Sequence, residues 1–110
     1  MVEITINYQD ELITSFEVKG HAGYALEGKD IYCAGVSAVT QTALIGLLKH
    51  LSKKPVFRVI KGNLELKLPD SLTEQEMEKA QIILSTMEAG LLSMQEAYSG
   101  FIRVKIRRCE

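Results

Sequence analysis

Two residues of this 110-residue chain have the types and spacing for nucleophilic chemistry. His21 follows Gly20 at the end of an alternating segment, and Cys33 comes twelve positions later. The stretch reads Gly20-His21-Ala22-Gly23-Tyr24, runs through a glycine-bearing loop, and resumes as Asp30-Ile31-Tyr32-Cys33-Ala34. The loop is long enough to fold back and bring imidazole and thiol together. An imidazole can take the thiol proton and hold the pair as thiolate and imidazolium. The spacing puts Cys33 in the first turn of a helix. There, amides without intrahelical acceptors and the positive end of the dipole favour the thiolate, which is the nucleophile. The backbone N–H groups of Cys33 and Ala34 are suited to receive an oxyanion. The small residues Ala34, Gly35, Ser37 and Ala38 leave room for a substrate backbone to come close. Asp30 suits the helix N-cap, its carboxylate accepting from amides of the first turn. Ala22, Gly23, Tyr24, Glu27, Gly28 and Lys29 form a loop that can close over a substrate.

Each residue also has a plainer reading: Cys33 as an inert buried thiol, His21 as a hydrogen-bonding residue at a strand end. Their joint placement around one glycine-rich loop favours the site. A zinc centre needs three or four ligands. His21, Cys33, Asp30 and Glu27 could be gathered, but no CxxC or HxxxH spacing is present, so neither metal nor cofactor is expected. A redox pair would have to use Cys109, which reads as an incidental thiol at the chain end.

The elements that must position these residues follow from periodicity. Val2, Ile4, Ile6 and Tyr8 alternate with Glu3, Thr5 and Asn7, a half-buried strand rather than an apolar leader. After a turn at Gln9-Asp10-Glu11, Leu12, Thr14, Phe16 and Val18 alternate again, so the two runs read as a hairpin. From Ile31 to Leu48 no residue is charged. That length would span a membrane, but Gly35, Ser37, Thr40, Gln41, Thr42 and Gly46 argue for a buried helix covered on most of its circumference. It runs to about Leu51, with His50, Lys53 and Lys54 complementing its dipole and Pro55 stopping it. Val56–Lys61 and Leu64–Leu68 read as strands around a Gly62-Asn63 turn. Ser71 and Thr73, each three residues before a glutamate, form two overlapping capping boxes for a second helix. Its seam is Met77, Ala80, Leu84, Met87, Leu91, Met94 and Tyr98, read as core packing, with Gly100 as its cap. A last strand over 101–108 turns Ile102, Val104 and Ile106 inward.

The class is α+β: one domain over residues 1–110, with a mainly antiparallel sheet of about five strands and two helices in the order ββαββαβ. Hydrophobic content of 46%, charged content of 25% and a net charge of -1 exclude a disordered or generally basic chain. Two cysteines fit a reducing cytoplasm. One sheet can hardly cover two such helices, which favours a homodimer.

The motifs Gly20-His21-Ala22, Asp30, Cys33-Ala34 and Val36-Ser37 resemble those of the ribosomal-processing cysteine protease family known as Prp. The resemblance covers the whole chain. It implies a homodimeric cytoplasmic cysteine protease that removes a short N-terminal extension from a large-subunit ribosomal protein. His21 is then the general base and Cys33 the nucleophile. Asp30 matches an acidic position whose two roles, orienting His21 and capping the helix, both stay open. Ser37, one turn after Cys33, shapes the site from behind. Tyr32 and Gly35 stand where Val and Ala are more usual, and neither change removes a reacting group. The peptide precursor is the implied partner, with no membrane and no direct nucleic acid required. The competing class is a non-enzymatic ribosome- or RNA-associated module using Arg103, Lys105, Arg107 and Arg108. Charge on an outer strand also serves simply to block strand pairing.

Overall fold

The computed structural model describes residues 1–20 and 31–109. Its elements are β1 (Val2–Gln9), β2 (Leu12–Lys19), α1 (Ile31–His50), β3 (Val56–Ile60), β4 (Asn63–Lys67), α2 (Glu74–Ala97) and β5 (Ile102–Cys109). The strands form one sheet in the order β3-β4-β2-β1-β5. Three neighbouring pairs are antiparallel, and β1 pairs with β5 in parallel. The ββαββαβ order and the α+β class are as the sequence predicts.

The core lies between the sheet and the two helices. Val2, Ile4 and Ile6 from β1, Phe16 and Val18 from β2, and Leu64 and Leu66 from β4 are buried on one face. Ala80, Leu84, Met87 and Leu91 of the α2 seam are buried against them, so that seam is core. Among the described residues, no helix lies on the other sheet face, which carries Glu3, Asn7, Glu17, Arg58, Glu65, Lys67 and Lys105.

Five details of the sequence reading are corrected. The register between β1 and β2 shifts between Asn7 and Tyr8. This bulge reverses the alternation, so Ile13 enters the core while Leu12 is exposed. Gln81 of α2 holds the bulged segment, accepting from Ile13 N at 2.8 Å and donating to Ile13 O at 2.8 Å. The β3–β4 turn sits one residue earlier than expected, at Lys61-Gly62, where both residues have positive φ (34° and 79°). That is the two-residue hairpin geometry matched to strand twist. Of the two capping boxes only Thr73 acts as N-cap, its side chain accepting from Glu76 N. Ser71 instead accepts from Lys53 Nζ at 2.6 Å. The C-cap is Tyr98 rather than Gly100, its N–H donating to Met94 O. Ile106 is exposed because β5 is an edge strand with only one neighbour.

The largest correction concerns α1. It is long and apolar enough to cross a membrane by length and composition. Yet it is not covered all round. Val36, Thr40, Ala43, Leu44 and Leu47 form one buried stripe at helical spacing. Ile31 and Ile45, by contrast, are about two-thirds exposed. One sheet and one neighbouring helix can shield only one side of a cylinder, and uncharged composition alone does not reveal which side.

Candidate active site

Cys33 is the third residue of α1, inside its first turn, as the sequence predicts. It is half-buried and not in a disulfide. No acidic side chain lies in that first turn, so the positive end of the helix is not neutralised from within α1 itself.

One glycine borders the thiol, and a second lies beside the first. A Cβ built on Gly62 would lie 3.9 Å from Cys33 Sγ and also 3.9 Å from the Gly20 carbonyl oxygen. Sγ and that carbonyl are therefore no further apart than twice this distance. Asn63 fixes the arrangement, its Oδ1 accepting from Gly20 N at 3.0 Å. Gly20 itself has φ of 75°, and an added Cβ there would press on the Met1 carbonyl at 3.3 Å. Only glycine meets both conditions comfortably. The β3–β4 turn and the end of β2 thus converge on the thiol, and the residue after Gly20 in the chain is His21.

An aromatic cluster holds the start of α1. The Tyr32 ring stacks on Phe101 with centroids 4.4 Å apart and planes 3° from parallel. Tyr98 packs against the same ring at 5.3 Å. Stacking of this kind adds about 0.5–1.5 kcal/mol beyond area burial. It ties the residue next to Cys33 to the junction of α2 and β5. Further along, a Cβ on Gly35 would meet Met94 Cε at 3.1 Å. The glycine lets the helices approach closely just after the thiol. These two residues, unusual in the sequence comparison, prove to be packing contacts. Sequence reasoning missed Gly62, Asn63 and Phe101, which only the tertiary pairing brings here.

Ala34 is exposed and Ser37 half-buried, one turn beyond Cys33. The expected general base His21, the expected N-cap Asp30 and the loop residues Ala22, Gly23, Tyr24, Glu27, Gly28 and Lys29 lie outside the described residues. Among the described residues, no three His, Cys, Asp or Glu side chains gather as a metal site.

Two perturbed titrations away from the thiol serve the fold. Tyr8 is pushed up to about 12 by burial of its ring and by its hydrogen bond to Glu88. The Glu76 carboxylate is held below its usual range by the backbone and side-chain donors of Ser52. Cys109 pairs with Gln9, at the end of β1 opposite to Val2. Seven residues of strand separate those ends, roughly 23 Å at about 3.3 Å per residue. Cys33 belongs to the Met1–Gly20 end, so a Cys33–Cys109 disulfide does not fit this fold. Two of the basic residues of β5 have partners on β1. Lys105 pairs with Glu3 at 3.4 Å, while Arg108 lies over the Tyr8 ring at 4.4 Å.

A family model described as cysteine protease Prp matches residues 1–103. The chain belongs to this family. It is 32% identical over 107 residues to the ribosomal processing cysteine protease Prp of Bacillus subtilis (strain 168), covering 94% of this chain and 96% of the relative. It is 30% identical over 108 residues to the Prp of Staphylococcus aureus (strain Mu50 / ATCC 700699), covering 96% and 97%. The crystal structure of the essential ribosomal processing protease Prp from S. aureus with a covalently linked product peptide superposes with a TM-score of 0.84. Identity is 29%, over 97% of this chain and all (100%) of that one. The same enzyme with a substrate peptide gives 0.81 at 28% identity, with coverage of 97% and 100%. The Prp family is one of cysteine proteases, and Cys33 is the half-buried cysteine of this chain at a helix start.

Proposed function

We propose that this protease removes a short N-terminal extension from a large-subunit ribosomal protein, with Cys33 as nucleophile and His21 as general base. The observation that carries this reading is the placement of Cys33 Sγ. It sits in the first turn of α1, beside the Gly62 turn, which also neighbours the carbonyl of the residue that precedes His21. The named activity of the B. subtilis and S. aureus relatives supports the ribosomal substrate.

The chemistry runs in two halves. His21 takes the Cys33 proton, and the thiolate attacks the scissile carbonyl carbon to form a C–S bond. The Cys33 and Ala34 amides donate to the developing oxyanion. The imidazolium passes its proton to the leaving amine as the C–N bond breaks. Water, deprotonated by His21, then attacks the thioester; the acid is released and Sγ leaves, recovering the proton. Asp30 orients His21 or caps α1, Ser37 backs the thiol one turn away, and the loop over residues 22–29 closes on the peptide. A cytoplasmic setting keeps the thiol reduced.

A homodimer belongs to the same reading. Ile45 of α1 and Ile82 of α2 are exposed beside a groove lined by Val39, Gly46, Ile83 and Met87. A second chain would cover it, and sedimentation velocity distinguishes two chains from one. The function itself is tested by incubating the Cys33→Ala variant with the extended ribosomal protein. Loss of cleavage is expected, and undiminished cleavage would overturn the reading.

A further inference from the structure

β3 is the outermost strand on its side of the sheet. All five of its residues are exposed, and four of them are apolar: Val56, Phe57, Val59 and Ile60. Its single charge, Arg58, is engaged with Glu65 at 3.1 Å on the helix-free face. Sheet edges are normally guarded by charge, proline or a covering segment, because unpaired backbone groups template further strands. An apolar, weakly guarded edge therefore needs a reason, and its position supplies one. β3 runs directly into the Lys61-Gly62 turn, and that turn borders Cys33 Sγ.

The register shows which backbone groups are on offer. Ile60 and Asn63 close the two-residue hairpin, so they form a hydrogen-bonded pair. Pairs alternate from there. Arg58 with Glu65 and Val56 with Lys67 are hydrogen-bonded pairs, whereas Phe57 with Leu66 and Val59 with Leu64 are not. The N–H and C=O groups of Phe57 and Val59 consequently point away from β4, toward the open edge. Their side chains share the helix-side face with Leu64 and Leu66. Five residues of strand offer roughly 17 Å of edge at about 3.3 Å per residue, ending at the turn that borders the nucleophile.

We infer that the substrate peptide binds as an added strand along β3. It pairs through the backbone of Phe57 and Val59 and sets every second side chain, apolar ones preferred, against those two residues. This rests on the protease reading above, and it adds a substrate-recognition surface that continues the site around Cys33. The pairing carries the scissile bond toward the Ile60 end, beside the turn that borders the thiol. Main-chain bonds supply affinity that does not depend on sequence, and Phe57 and Val59 supply the preference.

The test uses the unmodified chain and a synthetic peptide spanning the ribosomal-protein extension, with single N-methyl groups placed at successive positions. N-methylation removes one donor and blocks strand pairing only where the amide faces β3. Loss of kcat/KM by more than about tenfold at alternate positions, with little loss between them, is the expected result. Equal tolerance at every position, with the plain peptide still cleaved, overturns the docking inference alone. A plain peptide that is not cleaved overturns the protease reading and this inference with it. A second arm uses Phe57→Pro and Val59→Pro. Proline is tolerated on an edge where the N–H faces outward, so the hairpin keeps its bonds while the docking donor is lost. Peptide cleavage should fall at least about tenfold, while iodoacetamide labelling of Cys33 stays within about twofold. Unchanged cleavage, or a change only in the association state of the chain, contradicts the inference by assigning the edge to nothing or to a second copy.

Discussion

The two helices begin in opposite ways. α2 starts with Thr73 as N-cap and carries Glu74 and Glu76 in its first turn, so its amides and its dipole are answered locally. α1 has no acidic residue in its first turn, and the reactive-type side chain Cys33 stands there instead. Among the described residues, the α1 start is held by the Tyr32–Phe101 stack, the Gly62 turn and the close contact at Gly35. One helix end is finished for stability. The other carries no acid in its own first turn and is steadied by packing. The same backbone geometry thus serves two purposes, and the residues within one turn decide which.

If this contrast is right, damage to the two ends should read out differently. The largest stability effect is expected from Thr73→Ala, which removes the cap from α2 at about 0.5–2 kcal/mol. Urea unfolding should show that loss, while the alkylation rate of Cys33 stays unchanged. A coupled fall in alkylation would break the contrast. Phe101→Leu should cost about 0.5–1.5 kcal/mol, but its signature is catalytic. kcat should fall several-fold with KM little changed, because the stack positions the residue beside the thiol rather than the substrate. An equal effect of Phe101→Leu on both parameters would make the cluster merely structural.

The smallest effect concerns Glu76. Its carboxyl is held below its ordinary value by Ser52, which donates from both backbone and side chain. A carboxylate depressed in the folded state stabilises above its unfolded pKa, and that stabilisation is lost as pH falls through the folded value. The wild-type chain should therefore lose more Tm than Glu76→Gln between neutral pH and about pH 3. Parallel curves would mean that the Ser52 contact contributes nothing.

Periodic segments with one buried face were legible in the sequence. β1 and the middle of the α2 seam came out as read, because alternation and three-four spacing report burial directly, whereas Tyr98 at the seam's end is exposed. The β2 register was not legible. A single extra residue near Thr14 moves Ile13 into the core in place of Leu12, and no composition signal marks it. β3 looked like any alternating strand, and its exposure follows only from its place at the end of the sheet order. For the site, the sequence places Cys33 at a helix start after a glycine-rich stretch, and the structure has it in the first turn of α1. Its neighbours were hidden because β4 pairs with β2 across a long stretch of chain, and this long-range pairing carries Gly62 to the thiol.

The most direct measurement of the central claim is the pH dependence of iodoacetamide alkylation of Cys33 in a Cys109→Ser background, with and without His21→Ala. A thiol activated by the helix start and by His21 should titrate well below the ~8.5 of an ordinary cysteine, and His21→Ala should move the midpoint upward and slow labelling at neutral pH. A midpoint at or above the ordinary value, unmoved by His21→Ala, would contradict the account.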